Sequence, residues 1–186
     1  MSEQTTGFVD HADAALIGNL VVQTSTLERL ALVSFGRLLP VPLATTNAVF
    51  GGEQASWVFD KLKILATLRL ADRDDLCQRW LAWVSSAKAI TERRNRIVHS
   101  LWAHDTETAQ MVGSRLRRNR PSETVEFDRS AVAALIAEAG RLLMVCVMLQ
   151  VDTQRRVGAQ ITEGLADSLA DELRTSGGQP PASSRP

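Results

Sequence analysis

The chain has 186 residues, and 21 Lys plus Arg balance 21 Asp plus Glu to a formal charge of zero. Hydrophobic residues make up 45% and charged residues 23%, the mix of a single globular domain with a real core. The balance excludes a generally basic nucleic-acid binder but leaves room for a local basic patch. Eighteen of the 21 cations are Arg, which forks onto phosphate in two-point contacts that Lys cannot make. Cys77 and Cys146 stand apart in apolar helical surroundings, with no disulfide framework and no zinc spacing, which fits a reducing, cytoplasmic setting.

Residues 1–11 begin MSEQTTGFVD, polar and acidic rather than basic then apolar, and read as a flexible N-terminus without a leader. From about Ala12 to Leu39 the residues Leu16, Leu20, Leu27, Leu30 and Leu38 recur with helical spacing and predict a long amphipathic helix. Proline ends it at Pro40-Val41-Pro42. Thr45-Thr46-Asn47 through Gly51-Gly52 reads as a loop. Trp57, Phe59, Leu62, Ile64, Leu65 and Leu68 predict a second helix. Asp72-Arg73-Asp74-Asp75 is expected to supply N-cap oxygens to a third, which carries Trp80, Trp83, Ala87, Ile90 and Ile97 to about His99 or Leu101.

Between His104 and Asp128 apolar residues thin out, and short runs around Met111 and Val125 flank a charged turn, predicting a β-hairpin. Asp128 or Ser130 then caps a fourth long helix, roughly Ala131–Thr153, whose apolar character suits a bundle centre or a subunit interface. Glu138 and Arg141 interrupt it, and its longest wholly apolar run is too short to span a bilayer, so no membrane association is expected. Residues 154–174 read as an accessory amphipathic helix weakened by Gly158 and Gly164, and 175–186 as a disordered tail. The expected fold is all-α: a four- to five-helix bundle over 12–153 with a small hairpin-like insertion between the third and fourth helices.

Gly-rich phosphate loops, nucleophile elbows and metalloprotease helices are missing from the sequence, and His99 with His104 straddles a helix end at a spacing unlike any metal site. No metal and no cofactor is expected. The segment that stands out is Glu92-Arg93-Arg94-Asn95-Arg96-Ile97-Val98-His99, three arginines, an amide and an imidazole at the end of an otherwise apolar helix. Asn95 and His99 share a helical face, whereas Arg94 lies about 140° around the axis from His99. Such an end equally suits simple capping, since cations favour a helix C-terminus. A second cluster, Arg115-Leu116-Arg117-Arg118-Asn119-Arg120, falls on the predicted hairpin, either tracking a nucleic-acid backbone or pairing with Glu123 and Glu126. Trp102 is suited to stacking a base or, better, to packing.

Arg94-Asn95-Arg96-Ile97-Val98-His99 resembles the Arg-polar-x-x-x-His signature of the HEPN superfamily, and the order of predicted elements is similar to that family over roughly residues 12–153. The resemblance implies a homodimer that brings two motifs into one cleft and a metal-independent endoribonuclease used in stress, phage defence or toxin–antitoxin control. On that model His99 moves the proton at the ribose 2′-hydroxyl or the leaving oxygen, Arg94 stabilises the transition-state charge, and Asn95 orients the imidazole or a phosphate oxygen. Arg93, Arg96, Trp102, Arg115, Arg117 and Arg118 would hold the RNA. Arg94→Lys is then expected to impair cleavage with little change in stability. An antitoxin or other regulatory protein is a further expected partner. The chain has no Tyr, so the tyrosine modification that controls one HEPN branch is excluded. The alternative is a catalytically silent HEPN-like dimer that binds RNA, a nucleotide or a protein.

Overall fold

The computed structural model describes residues 9–39, 41–104, 111–117 and 120–176, and the side chains among these other than 104, 115–117, 120–126 and 157–176. It is an all-α bundle of five helices, α1 (His11–Leu38), α2 (Leu43–Phe50), α3 (Ala55–Arg69), α4 (Asp74–Val98) and α5 (Arg129–Ser176). A small antiparallel sheet, β1 (Leu101–His104), β2 (Met111–Arg117) and β3 (Arg120–Glu126), lies between α4 and α5.

Asp10 starts α1 by accepting the Asp13 amide at 2.8 Å, and that bond is the main reason its carboxyl is held below the usual value. The buried stripe Leu20, Leu27, Ala31, Phe35 and Leu38 turns α1 toward α3, α4 and α5. On α4 the buried set Leu76, Trp80, Trp83, Ala87 and Ile90 keeps the same three- and four-residue spacing, so both helices form where the sequence places them.

The expected loop at Thr45-Thr46-Asn47 is instead α2. Thr and Asn are poor helix formers and read as a loop, but here burial decides. Pro42 occupies the N-cap, where no amide donor is needed. Thr46 is buried, Asn47 accepts from Arg29 at 2.9 Å, and the Phe50 ring packs 5.1 Å from Phe35 and 5.7 Å from Trp57. The chain then leaves the helix at Gly51 and Gly52. The expected carboxylate cap on α4 is also corrected. Arg73 holds the N-cap position without a side-chain capping bond, and Asp74 and Asp75 fall in the first turn, where they face the positive end of the helix dipole.

The predicted hairpin is present as β2 and β3, with Val112 opposite Glu126 and Gly113 opposite Val125. What the sequence reading lacked is β1, which adds the residues just after α4 to the same sheet, Leu101 opposite Ser114 and His104 opposite Met111. Residues 105–110 and 118–119, including Arg118, lie outside the described residues, as do residues 1–8 of the expected flexible N-terminus and all of the tail expected over 175–186 except 175 and 176, which end α5.

Asp128 caps α5 by accepting from the Ser130 hydroxyl at 2.7 Å and from the Ser130 and Ala131 amides, which holds its carboxyl below the usual value. From there α5 runs without interruption to Ser176, so the expected accessory helix over 154–174 is its continuation. One face of α5 is tied into the bundle by polar contacts as well as apolar ones. Trp83 Nε1 donates to the Leu142 carbonyl at 2.8 Å, Trp80 Nε1 to Thr153 Oγ1 at 3.0 Å, and Gln150 Nε2 to Ser34 Oγ at 3.0 Å. Arg129 clamps its start to Asp10 and to buried Asp13, both at 2.5 Å, and Arg79 holds Asp152 at 2.9 Å. Among the described residues, Arg129–Arg156 of α5 is the one stretch long and apolar enough to cross a membrane.

Candidate functional site at the end of α4

The last turn of α4 divides its side chains between two directions. Arg94 points inward to α1. Its Nη2 pairs with Glu28 Oε1, its Nε donates to Thr24 Oγ1 at 3.1 Å, and its Nη1 donates to Asn95 Oδ1 at 2.8 Å. Arg94 is only 15% exposed and Glu28 27%, so this is a largely desolvated ion pair that fastens α4 to α1. Burial pushes the Glu28 carboxyl above its usual value, while the Arg94 charge pulls it back down.

Arg93, Arg96 and His99 are exposed. His99 is the C-cap residue, and its backbone amide returns to the Asn95 carbonyl at 3.1 Å. Two more late carbonyls of the helix are satisfied by neighbours: Ser100 Oγ donates to Arg96 O at 2.6 Å, and Trp102 Nε1 to Ile97 O at 2.8 Å. The His99 imidazole is therefore not needed at the Asn95, Arg96 or Ile97 carbonyls.

These contacts separate residues that the motif placed in one role. Asn95 orients Arg94, not the imidazole, and Arg94 faces α1 while His99 faces solvent. Of the two roles open to Trp102, the structure shows the packing one. Trp102 is 7% exposed, lies edge-on to Phe127 at 5.1 Å, and fits so closely over Gly113 that a Cβ there would meet its ring at 2.6 Å. It packs the sheet onto α4.

Two hollows flank the motif. One, of about 290 Å³, is walled by Glu28, Arg94, Asn95, Thr91 and Lys88 together with the first turn of α3. The buried Thr91 hydroxyl on its wall has no hydrogen-bond partner among the described residues. The other, of about 200 Å³, is lined by Arg93 and Arg96, by the apolar Trp102, Phe127, Val132 and Leu135, and by the Asp128 residue that caps α5. No described carboxylate pairs with Arg93 or Arg96. Two cations over an apolar floor form a surface that can hold a phosphate and cover the face of what it is attached to.

The sheet brings the second basic cluster to the same end. Leu101, two residues after His99, lies opposite Ser114, so Arg115 is the next residue along β2, with Glu123 across from it on β3. Arg117 lies opposite Arg120, with an irregularity between 115 and 117 that disturbs the ladder. Among the described residues no group of three or more His, Cys, Asp or Glu is placed to hold a metal.

Glu28 and Thr24 are the participants that motif reasoning missed. Their signal was nonetheless present: they continue the Leu20, Leu27 and Ala31 stripe of α1, and a polar residue on a buried stripe needs a partner. Comparison of the chain with protein-family models, curated proteins and solved structures finds no match.

Proposed function

We propose that this chain is a HEPN-like homodimer that binds RNA through the arginine-rich end of α4 and does not cleave it. Arg93 and Arg96 hold backbone phosphates, Arg115 and Arg117 of β2 extend the track, and His99 at the exposed cap is a contact residue. The observation that carries the reading is the state of Arg94. Stabilising a phosphorane-like transition state requires donors aimed at the developing charge, but Glu28, Thr24 and Asn95 occupy this guanidinium's directions and neutralise it. A cytoplasmic setting and a regulatory or antitoxin partner belong to the same reading, in stress or phage defence.

The second reading, a metal-independent endoribonuclease, is favoured by the exposed His99, an imidazole that can reach a bound ligand. It requires Arg94 to leave Glu28 when RNA binds.

One experiment separates them: a labelled mixed RNA pool is incubated with protein in EDTA, binding is followed by anisotropy, and the 3′ ends are read by mass spectrometry. The proposal expects intact RNA, retained at low salt and weakened by Arg93→Ala with Arg96→Ala. Cyclic-phosphate ends that vanish in His99→Ala would establish the nuclease instead. Neither retention at low salt nor cleavage would sink both.

A further inference from the structure

The face of α5 turned away from the bundle carries Met144, Val145, Val147, Met148 and Val151, with Met144 65% and Met148 60% exposed. No described element covers it. Along this face Ala137, Arg141, Met144, Met148, Val151 and Arg155 follow one another at alternating intervals of four and three, the spacing of a seam between two packed helices. A bilayer is a poor occupant, because Arg141 sits within the stripe and Glu138 and Asp152 are partly exposed along α5, charges that are costly at bilayer depth.

The charges also select the direction of a second helix. Parallel pairing in register stacks Arg141 on Arg141 and Arg155 on Arg155 of the two copies, each a like-charge contact. Antiparallel pairing about a two-fold near Cys146 places Met144 against Met148, Arg141 against Val151, and Arg155 against Ala137 with Glu138 alongside. Each arginine then meets a small or apolar residue and has a route to solvent or to an acid.

This geometry fixes where the functional ends lie. Trp83 bonds Leu142 and Trp80 bonds Thr153, while Arg93, Arg96 and Ile97 line one hollow with Val132 and Leu135, so α4 runs antiparallel to α5 and its motif lies level with a stretch of α5 that is 11 residues (Leu135) to 14 residues (Val132) before Cys146. At 1.5 Å per residue that is about 17–21 Å on each side of the two-fold.

We propose that the Met144–Met148–Val151 stripe of α5 is an isologous, antiparallel interface with a second copy of this chain, which holds the two arginine-rich ends of α4 about 33–42 Å apart along the α5 axis. The dimer of the reading above acquires a defined interface, and its two motifs form separate sites in place of one composite cleft. The inference rests on the homodimer of that reading but not on RNA binding.

Light scattering of the full chain after size exclusion is expected to give twice the chain mass for wild type and one chain mass for Met144→Glu with Met148→Glu, at unchanged helical circular dichroism. Both side chains are exposed, so the variant is expected to fold. A monomeric wild type, or a variant that stays dimeric, overturns the interface. Nitroxide labels on Glu92→Cys, an exposed site on α4, report the direction, since both native cysteines are buried. Labels beyond about 30 Å fit the antiparallel seam, and labels within about 20 Å, two helix widths, overturn it in favour of a shared cleft. Flotation of wild type with phosphatidylcholine vesicles would also overturn it, by giving the stripe to a bilayer. A dimer of this form that fails to retain RNA would sink the functional reading and leave the interface standing.

Discussion

Replacing Arg94 by Ala tests the division of labour at the end of α4. If Arg94 were an exposed catalytic residue, its loss would leave stability alone. In the structure it is an anchor between α4 and α1, and its removal strands the largely desolvated Glu28 and deprives Thr24 of a donor. Exposed pairs contribute up to about 1 kcal/mol, and removing one member of a fully buried pair costs about 3–5 kcal/mol. This pair lies between, so the expected cost at pH 7 is about 2–3 kcal/mol, or roughly 5–10 °C in melting temperature for a domain of this size. The sign of the pH dependence follows from Glu28. Burial raises its folded pKa above the ordinary value of 4.5, so the folded state holds the proton to higher pH than the unfolded chain does. The penalty is absent below the unfolded pKa and grows as pH rises through the folded one. Without Arg94 the raising influence is unopposed, so the loss measured by urea unfolding should be larger at pH 7 than at pH 5. Adding Glu28→Gln to the variant removes the stranded charge and should recover a substantial part of the loss. An Arg94→Ala protein as stable as wild type, or a double variant no better than the single one at pH 7, would refute the anchor.

Arg93→Ala with Arg96→Ala should leave the unfolding midpoint within about 0.5 kcal/mol of wild type, because neither side chain has a described partner. It should also reduce the slope of log K against log salt for RNA by about one to two, as read from anisotropy titrations. Gly113→Ala is expected to destabilise by about 1–3 kcal/mol in urea unfolding, since its methyl group would enter the Trp102 ring and β2 cannot move away without breaking its pairing on both edges. Thr153→Val leaves the buried Trp80 indole N–H without its acceptor and should cost about 1–3 kcal/mol by the same measurement. Burial raises the Cys146 thiol to about 11, so at pH 8 it should react with a thiol reagent only on the timescale of unfolding, and promptly in urea.

The long helices were legible in the chain because each has one face that must be buried and a period that identifies it. The spacing Leu20, Leu27, Ala31 and Phe35 on α1, and Trp80, Trp83, Ala87 and Ile90 on α4, needs no neighbour to be recognised. The hairpin showed through its two short runs around a charged turn. The sequence also located the cluster Arg93, Arg94, Asn95, Arg96 and His99 and the end of the helix that carries it. Other features were decided only by packing. Thr45-Thr46-Asn47 became α2 because Phe50 found Phe35 and Trp57, and α5 continued past Gly158 because single glycines weaken a helix without breaking it. The roles within the motif were likewise set at a distance. A helix end presents its side chains around a full circle, and which arginine meets solvent depends on where the next helix lies. Glu28, 66 positions away in the chain, took Arg94 inward and left Arg93 and Arg96 to face outward. Spacing along one helix names the residues of a site, but the charges brought against it from other helices determine which of them remain available for a ligand.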